Sequence, residues 1–198
     1  MAIVTGYVVL PTDSYLAWKT AVNGNGYNAD GYYGCQCWDL CAEFWYNVGF
    51  PQGYPLTGPN QYASECWTVS RTANAGDKFD LITNFADIKQ GDVLVWQGDS
   101  QYPTGHIGFA DEDYNPEKLR MIDVLGQNQG TGGTPPPIFP VDGGSTANVK
   151  GLSLVNFLGA FRYKAWHGPT PPPPPTPQKK RFPWVLYAQK FRQSRQGL

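Results

Sequence analysis

Apolar positions follow helical spacing in the first part of the chain and become short apolar runs after residue 90. Cys37, Leu40, Cys41, Phe44, Trp45 and Val48 recur at i, i+3, i+4, i+7, i+8 and i+11, one face of an α-helix, and Gly49 with Pro51 beyond it stops that helix. Tyr15, Trp18 and Val22 share a face behind Pro11-Thr12-Asp13, which predicts a helix starting there. Asn60, a favourable N-cap, predicts a short third helix reaching Arg71. From the Gln90-Gly91 turn onward the runs Asp92–Trp96, His106–Ala110, Leu119–Leu125 and Phe157–Lys164 predict strands. Helices segregated ahead of an antiparallel sheet make an α+β domain.

Composition narrows the class. A chain of 198 residues holds one domain or slightly more and can bury a core without disulfide or metal staples. Apolar residues at 41%, aromatics included, exclude global disorder, and 23 Gly with 18 Pro argue against a helical bundle. No apolar run approaches the roughly 20 residues of a membrane span. Met1–Leu10 has no basic segment and is too short for a secretory signal, so delivery outside a cell is expected to depend on something other than this segment.

The net charge of −1 conceals an asymmetry: residues 1–168 carry 9 Lys/Arg against 16 Asp/Glu, while residues 169–198 carry six basic residues and no acid. A basic tail behind an acidic domain points to an anionic partner, and the acidity of the main domain argues against nucleic acid there. Eight of the ten residues from Gly168 to Pro177 are Gly or Pro, the composition of an extended polyproline spacer. The expected organisation is a domain over 1–168, a linker over 169–177 and a basic aromatic docking tail over 178–198.

Candidate chemistry is confined by scarcity. There are four cysteines, at 35, 37, 41 and 66, and two histidines, at 106 and 167. Cys37 opens the strongest helix, where exposed N–H groups and the helix dipole favour a thiolate. Cys41 and Cys66 fall at buried-looking positions and read as core. His106 begins an apolar strand behind Gly105, a residue that lets another chain segment come close. His167 abuts the Pro-rich spacer, a poor place for a water-excluding site. Val124-Leu125-Gly126-Gln127-Asn128 closes a candidate strand, and Asn128 at its end can accept a hydrogen bond from an imidazole and complete a Cys–His–Asn arrangement.

Gly31-Tyr-Tyr-Gly-Cys-Gln-Cys37-Trp-Asp-Leu40, Gly91-Asp-Val-Leu-Val-Trp96, Gly105-His-Ile-Gly108 and Leu125-Gly-Gln-Asn128 occur in that order. By these motifs the chain resembles, over roughly residues 12–165, the CHAP domain, the cysteine- and histidine-dependent amidohydrolase/peptidase family of bacterial cell-wall lysins. The resemblance implies a papain-like fold, with helices packed on an antiparallel sheet, and hydrolysis of a peptidoglycan amide bond. It casts Cys37 as nucleophile, His106 as base, Asn128 as the group orienting His106, and Gln36 as an oxyanion donor beside the Cys37 N–H. Close relatives carry Glu where this chain has Gly126, two residues before the Asn.

The stretch around Asp30-Gly31-Tyr32-Tyr33 is similar to calcium-binding phage endolysins that attack Gram-positive bacteria. With Asn28 as position 1, Asp30, Tyr32, Gly34 and Asp39 fall at 3, 5, 7 and 12, an EF-hand-like spacing of oxygen ligands with backbone carbonyls at Tyr32 and Gly34. Zinc on the cysteines is a rival use, and a disulfide such as Cys35–Cys66 is neither assigned nor excluded. Trp38, Trp67, Trp96 and Tyr102 serve either a substrate groove or the core.

The expected function is therefore that of a muramoyl-alanine amidase or a stem or cross-bridge endopeptidase, acting through a cysteine acyl-enzyme. It would be held in the host cytoplasm until release, or carried on a virion, and would act as a monomer on peptidoglycan. Two rivals stand beside it, a degenerate CHAP module that only binds wall or serves as a phage structural protein, and a cysteine peptidase acting on proteins. The basic tail would add contacts to an anionic wall polymer or a partner protein. Deleting residues 169–198 is expected to leave the domain folded by circular dichroism and to make binding to cells less sensitive to salt. A truncated chain that unfolds would overturn the boundary.

Overall fold

The computed structural model describes residues 2–71, 75–100, 102–129 and 146–168; the expected linker 169–177 and tail 178–198 lie outside them. Along the chain run β1 (Ile3–Thr5), α1 (Tyr15–Val22), β2 (Gly26–Asn28), α2 (Cys37–Asn47), α3 (Glu65–Ser70), β3 (Phe79–Ile82), β4 (Val93–Trp96), β5 (His106–Ala110), β6 (Met121–Gly126), β7 (Asn148–Ser153), β8 (Phe157–Tyr163) and α4 (Lys164–His167). Strands β3 to β8 form one antiparallel sheet of order β3-β8-β4-β5-β6-β7, while β1 and β2 pair in parallel apart from it. This is the α+β arrangement of helices on an antiparallel sheet that the sequence predicts.

The apolar face of α2 explains where the core sits. Leu40, Cys41, Phe44 and Trp45 are all fully buried. Trp45 stacks on Phe79 of β3 at 4.5 Å between ring centroids, and Phe44 meets Phe109 of β5 edge-on at 5.2 Å. Each such buried side chain stabilises the fold by about 1.5–3 kcal/mol. A second cluster, including Ile88, Leu94, Ile122 and Val124, covers the other face of the sheet. Strands β4 and β5 are therefore buried at every position, which is why they read as continuous apolar runs rather than alternation.

Local chemistry moves three predicted boundaries. Helix α1 starts at Tyr15 with Ser14 as its cap, the hydroxyl accepting the Ala17 N–H at 3.1 Å. Asn60 does not cap α3. Its side chain donates to Glu65 Oε1 at 2.7 Å, and Glu65 also takes the Tyr62 N–H, so the chain turns until Glu65 before the helix begins. Strand β6 begins at Met121 because Leu119 and Arg120 have φ of 50° and 64°, a left-handed backbone that no strand adopts. Among the described residues, no helix is long and apolar enough to cross a membrane.

One buried ion pair clamps the start of β4 to β8. Arg162 donates from Nε to Asp92 Oδ1 at 2.9 Å and from Nη2 to Oδ2 at 2.8 Å, and Oδ2 also accepts the Lys89 N–H. The Asp92 side chain is wholly buried. Removing one partner strands the other charge, so Asp92→Ala is expected to lower the unfolding free energy by about 3–5 kcal/mol in urea denaturation. A loss under about 1 kcal/mol would place the pair with exposed ones.

Candidate active site

Cys37 is the first residue of α2, held there by Asp39 two residues on. One Asp39 oxygen accepts the Gln36 N–H at 2.8 Å, closing the helix start, and the other accepts the Ala29 N–H at 2.8 Å. The helix N-terminus and the loop before it thus share one carboxylate. Burial pushes the Cys37 thiol up to about 11, opposed by the backbone N–H groups of Ile107, Trp38 and Cys37 itself, which favour the thiolate. Ile107 directly follows His106, so the sulfur lies against the strand that carries the imidazole.

His106 opens β5, paired across to Trp96 of β4. The preceding Gly105 has a φ of +81°, and a Cβ there would lie 2.5 Å from Trp96 O and 2.6 Å from Ser64 Cβ. Glycine is required for the segment before α3 to approach, as the sequence predicts. Tyr102 stacks on the His106 ring at 4.6 Å. The imidazole is 1% exposed, and this burial lowers it to about 4, against a hydrogen bond to Gln129 that raises it. Nε2 lies 3.4 Å from Gln129 Oε1, whereas Nδ1 is buried with no hydrogen-bond partner. At neutral pH both groups rest uncharged, Cys37 as a thiol and His106 as a neutral imidazole.

The hydrogen-bond partner of the His106 ring is Gln129, where the sequence pointed to Asn128 as the orienting group. Strand β6 ends at Gly126 and Asn128 takes a φ of 51°, so strand parity no longer governs where its side chain points. Asn128 Nδ2 instead donates to Gln36 Oε1 at 2.6 Å, and Gln36 Nε2 donates to Tyr33 O. Gln127 ties the same region from beneath, taking the Tyr27 N–H and giving its own N–H groups to Tyr27 O and Gln36 O at 2.7–2.9 Å. Sequence reasoning missed Gln127 and Gln129. The signal available was the run of three amides directly after a strand. Asp123, also on β6, pairs with Lys118 away from the imidazole.

The remaining candidates sort cleanly. The four thiols are reduced and buried, and no group of three or more His, Cys, Asp or Glu suited to a metal occurs among the described residues, which leaves zinc and the Cys35–Cys66 bridge without support. Trp67 and Trp96 are core. Trp38 is half-buried, its Nε1 donating to Pro55 O. His167 lies by Asp92, in the wall of a separate cavity of about 440 Å³ lined also by Lys89, Asp113 and Trp166.

The five predicted calcium ligands lie in and around one loop. Asn28 Oδ1 is buried without a hydrogen-bond partner, Asp30 Oδ1 accepts the Tyr32 N–H at 2.8 Å, and Gly34 adopts a φ of 71°. Burial raises Asp39 to about 7, with backbone N–H groups opposing and the Asp30 charge adding to the rise. Among the described residues no ion pair offsets Asp30 or Asp39. An orphaned amide oxygen next to two carboxylates without a cation is a donor set that suits a hard, oxygen-seeking ion.

The fold is that of an endolysin: 81% of the chain superposes on 67% of the solved wild-type endolysin LysIME-EF1 with a TM-score of 0.55 and 23% identity. In sequence, 118 residues, 59% of the chain, are 30% identical to the D-alanyl-L-alanine endopeptidase of Streptococcus phage B30. The chain spans about a quarter of that relative's length, 25%. No protein-family model matches. The chain is thus similar to phage cell-wall lysins.

A proton-linked consequence follows from the burial of His106. Its imidazole binds a proton near pH 4 when folded and near 6.5 when unfolded, so the stability it contributes is complete above pH 6.5 and lost as pH falls toward 4. The slope is at most about 1.4 kcal/mol per pH unit. NMR titration of the two imidazoles is expected to show one ring holding its neutral shifts down to about pH 4. Titration of both near 6.5 would refute the buried neutral base.

Proposed function

We propose that the chain is a cysteine-dependent peptidoglycan hydrolase that opens a peptide bond through an acyl-enzyme. The observation that carries this reading is a cysteine at a helix N-terminus against a strand that begins with a buried histidine. That histidine has one nitrogen engaged by Gln129 and the other unpartnered. Similarity to the phage B30 enzyme supports wall peptide as substrate and favours an endopeptidase over a muramoyl-alanine amidase. The CHAP resemblance in the four motifs supports cysteine chemistry and a Gram-positive wall. On this reading the lysin meets the wall after release from the host cytoplasm or from a virion, and residues 178–198 add affinity for anionic wall polymer.

The chemistry balances with these residues alone. His106 Nδ1 takes the Cys37 proton as the sulfur bonds to the scissile carbonyl carbon. The C–N bond then breaks, and the amine leaves with that proton. Water next gives a proton to His106 and its oxygen to the thioester carbon. The C–S bond breaks, the carboxylic product departs and the thiol recovers its proton. The Cys37 N–H and the second N–H of the Gln36 amide stabilise the oxyanion, with Asn128 holding Gln36 in place.

Asn28, Asp30 and Asp39, with the carbonyls of Tyr32 and Gly34, would hold calcium. Bound there, the ion supplies positive charge that neutralises the two carboxylates and stiffens the loop leading to Cys37.

Turbidity loss of purified Gram-positive peptidoglycan tests both parts. Wild type is expected to clear the wall, and Cys37→Ala to be slower by roughly a thousandfold or more. EDTA should slow clearing and lower the melting temperature, with calcium restoring both. Clearing by Cys37→Ala would overturn the cysteine mechanism, and indifference to EDTA and calcium would overturn the ion site. A folded protein that binds wall and clears none would be a binding module.

A further inference from the structure

We infer that Gln129 is the positioning residue of the catalytic base, and that it can serve because Gly126 has no side chain. The inference rests on the reading of Cys37 and His106 as a hydrolytic pair. Two observations carry it. First, the Gln129 carboxamide cannot be turned round: its Nε2 donates to Val124 O at 3.0 Å and to Asn148 O at 2.8 Å. Both amide hydrogens face carbonyls, so the oxygen must face His106. An oxygen only accepts, so His106 Nε2 must carry the hydrogen and Nδ1 keeps the lone pair a base requires.

Second, the space that Gln129 occupies lies above residue 126. A Cβ on Gly126 would sit 3.0 Å from both Cδ and Oε1 of Gln129. A side chain there presses on the carboxamide that faces the imidazole, which must give by a few tenths of an ångström. The residue is held from its other end as well, with the Tyr102 hydroxyl donating to the Gln129 carbonyl at 3.0 Å while the Tyr102 ring stacks on His106. Ring plane, tautomer and distance are therefore set by one residue and its immediate supports. The carboxamide brings no charge, so it selects the tautomer of a neutral imidazole without stabilising an imidazolium as a carboxylate would.

The test uses the full chain and needs no substrate for its first arm. Long-range ¹H–¹⁵N correlation spectra above pH 7 identify the tautomer of each of the two histidines. Wild type is expected to show His106 as the Nε2–H form, and Gln129→Ala a mixture of both forms. In the second arm, Gln129→Ala lowers the rate of wall clearing roughly 10- to 100-fold, part of the 100- to 10,000-fold that a general base supplies, with KM within about twofold. Gly126→Ala, which leaves Gln129 present but pushed aside, should shift both readouts the same way by a smaller factor, about threefold in rate.

An Nδ1–H tautomer in wild type, or a Gln129→Ala protein with unchanged imidazole shifts and rate, would overturn the assignment. Wild type that clears walls equally well as Cys37→Ala would sink the hydrolase mechanism instead, and the tautomer arm would still decide whether Gln129 sets the ring.

Discussion

An imidazole buried at the seam between a helix N-terminus and a sheet must have an acceptor for its N–H, since an unmatched polar group there costs about 1–3 kcal/mol. Much of the surrounding structure serves that need. His106 is placed by β5, which is central in the sheet and buried at every position, so its Cα has little freedom. The acceptor comes from the end of β6, the neighbouring strand, through a side chain whose donors are satisfied by β6 and by the residue that opens β7. The edge of the sheet therefore acts on His106 through three hydrogen-bonding groups of one residue.

Three successive amides past the end of β6 divide the work. Gln127 stitches β2 and the carbonyl before the nucleophile, Asn128 grips the Gln36 side chain, and Gln129 takes the imidazole. The division depends on the backbone leaving strand geometry at Gly126. In an extended strand, Gln127 and Gln129 would share a face and Asn128 would oppose them. With Asn128 left-handed, all three reach toward the nucleophile loop or the base. A neutral, amide-rich frame also fits a thiol and an uncharged imidazole, because neither of these two groups brings a charge that the amides must compensate.

Much of this was legible in the chain. The stripe from Cys37 to Val48 reads unmistakably because α2 buries one long face against aromatic residues from several strands, and β5 was read with its observed bounds. Strands β1 and β2 were not readable because three residues carry no period, and β7 because its mixed sequence is held by pairing to β6 rather than by burial. Cys37 and His106 were singled out as candidates from local context and the motif order. Gln129 was not, since its role arises from a missing side chain at 126 and a turn after it, neither of which a period or propensity reports. Asn128 was assigned from its place at the end of a candidate strand and the motif it resembles, and strand geometry lapses before that residue.

The Asp39 carboxylate decides how the loop at Asn28–Asp39 is tied to the helix start at Cys37. Its oxygens already collect N–H groups from Ala29 and Gln36, so the helix start and the loop are joined before any ion arrives. A cation held by Asn28 and Asp30 would therefore act on a connection that exists, drawing negative charge off Asp39 and stiffening the loop rather than creating the helix terminus. Cys37 keeps its position through α2 and β5, both anchored in the core, while Gln36 depends on the loop, on Gln127 and on Asn128. Loosening the loop should thus disturb the oxyanion donors more than the nucleophile. The cost would fall on turnover ahead of substrate affinity, because those donors act on charge that develops only in the transition state.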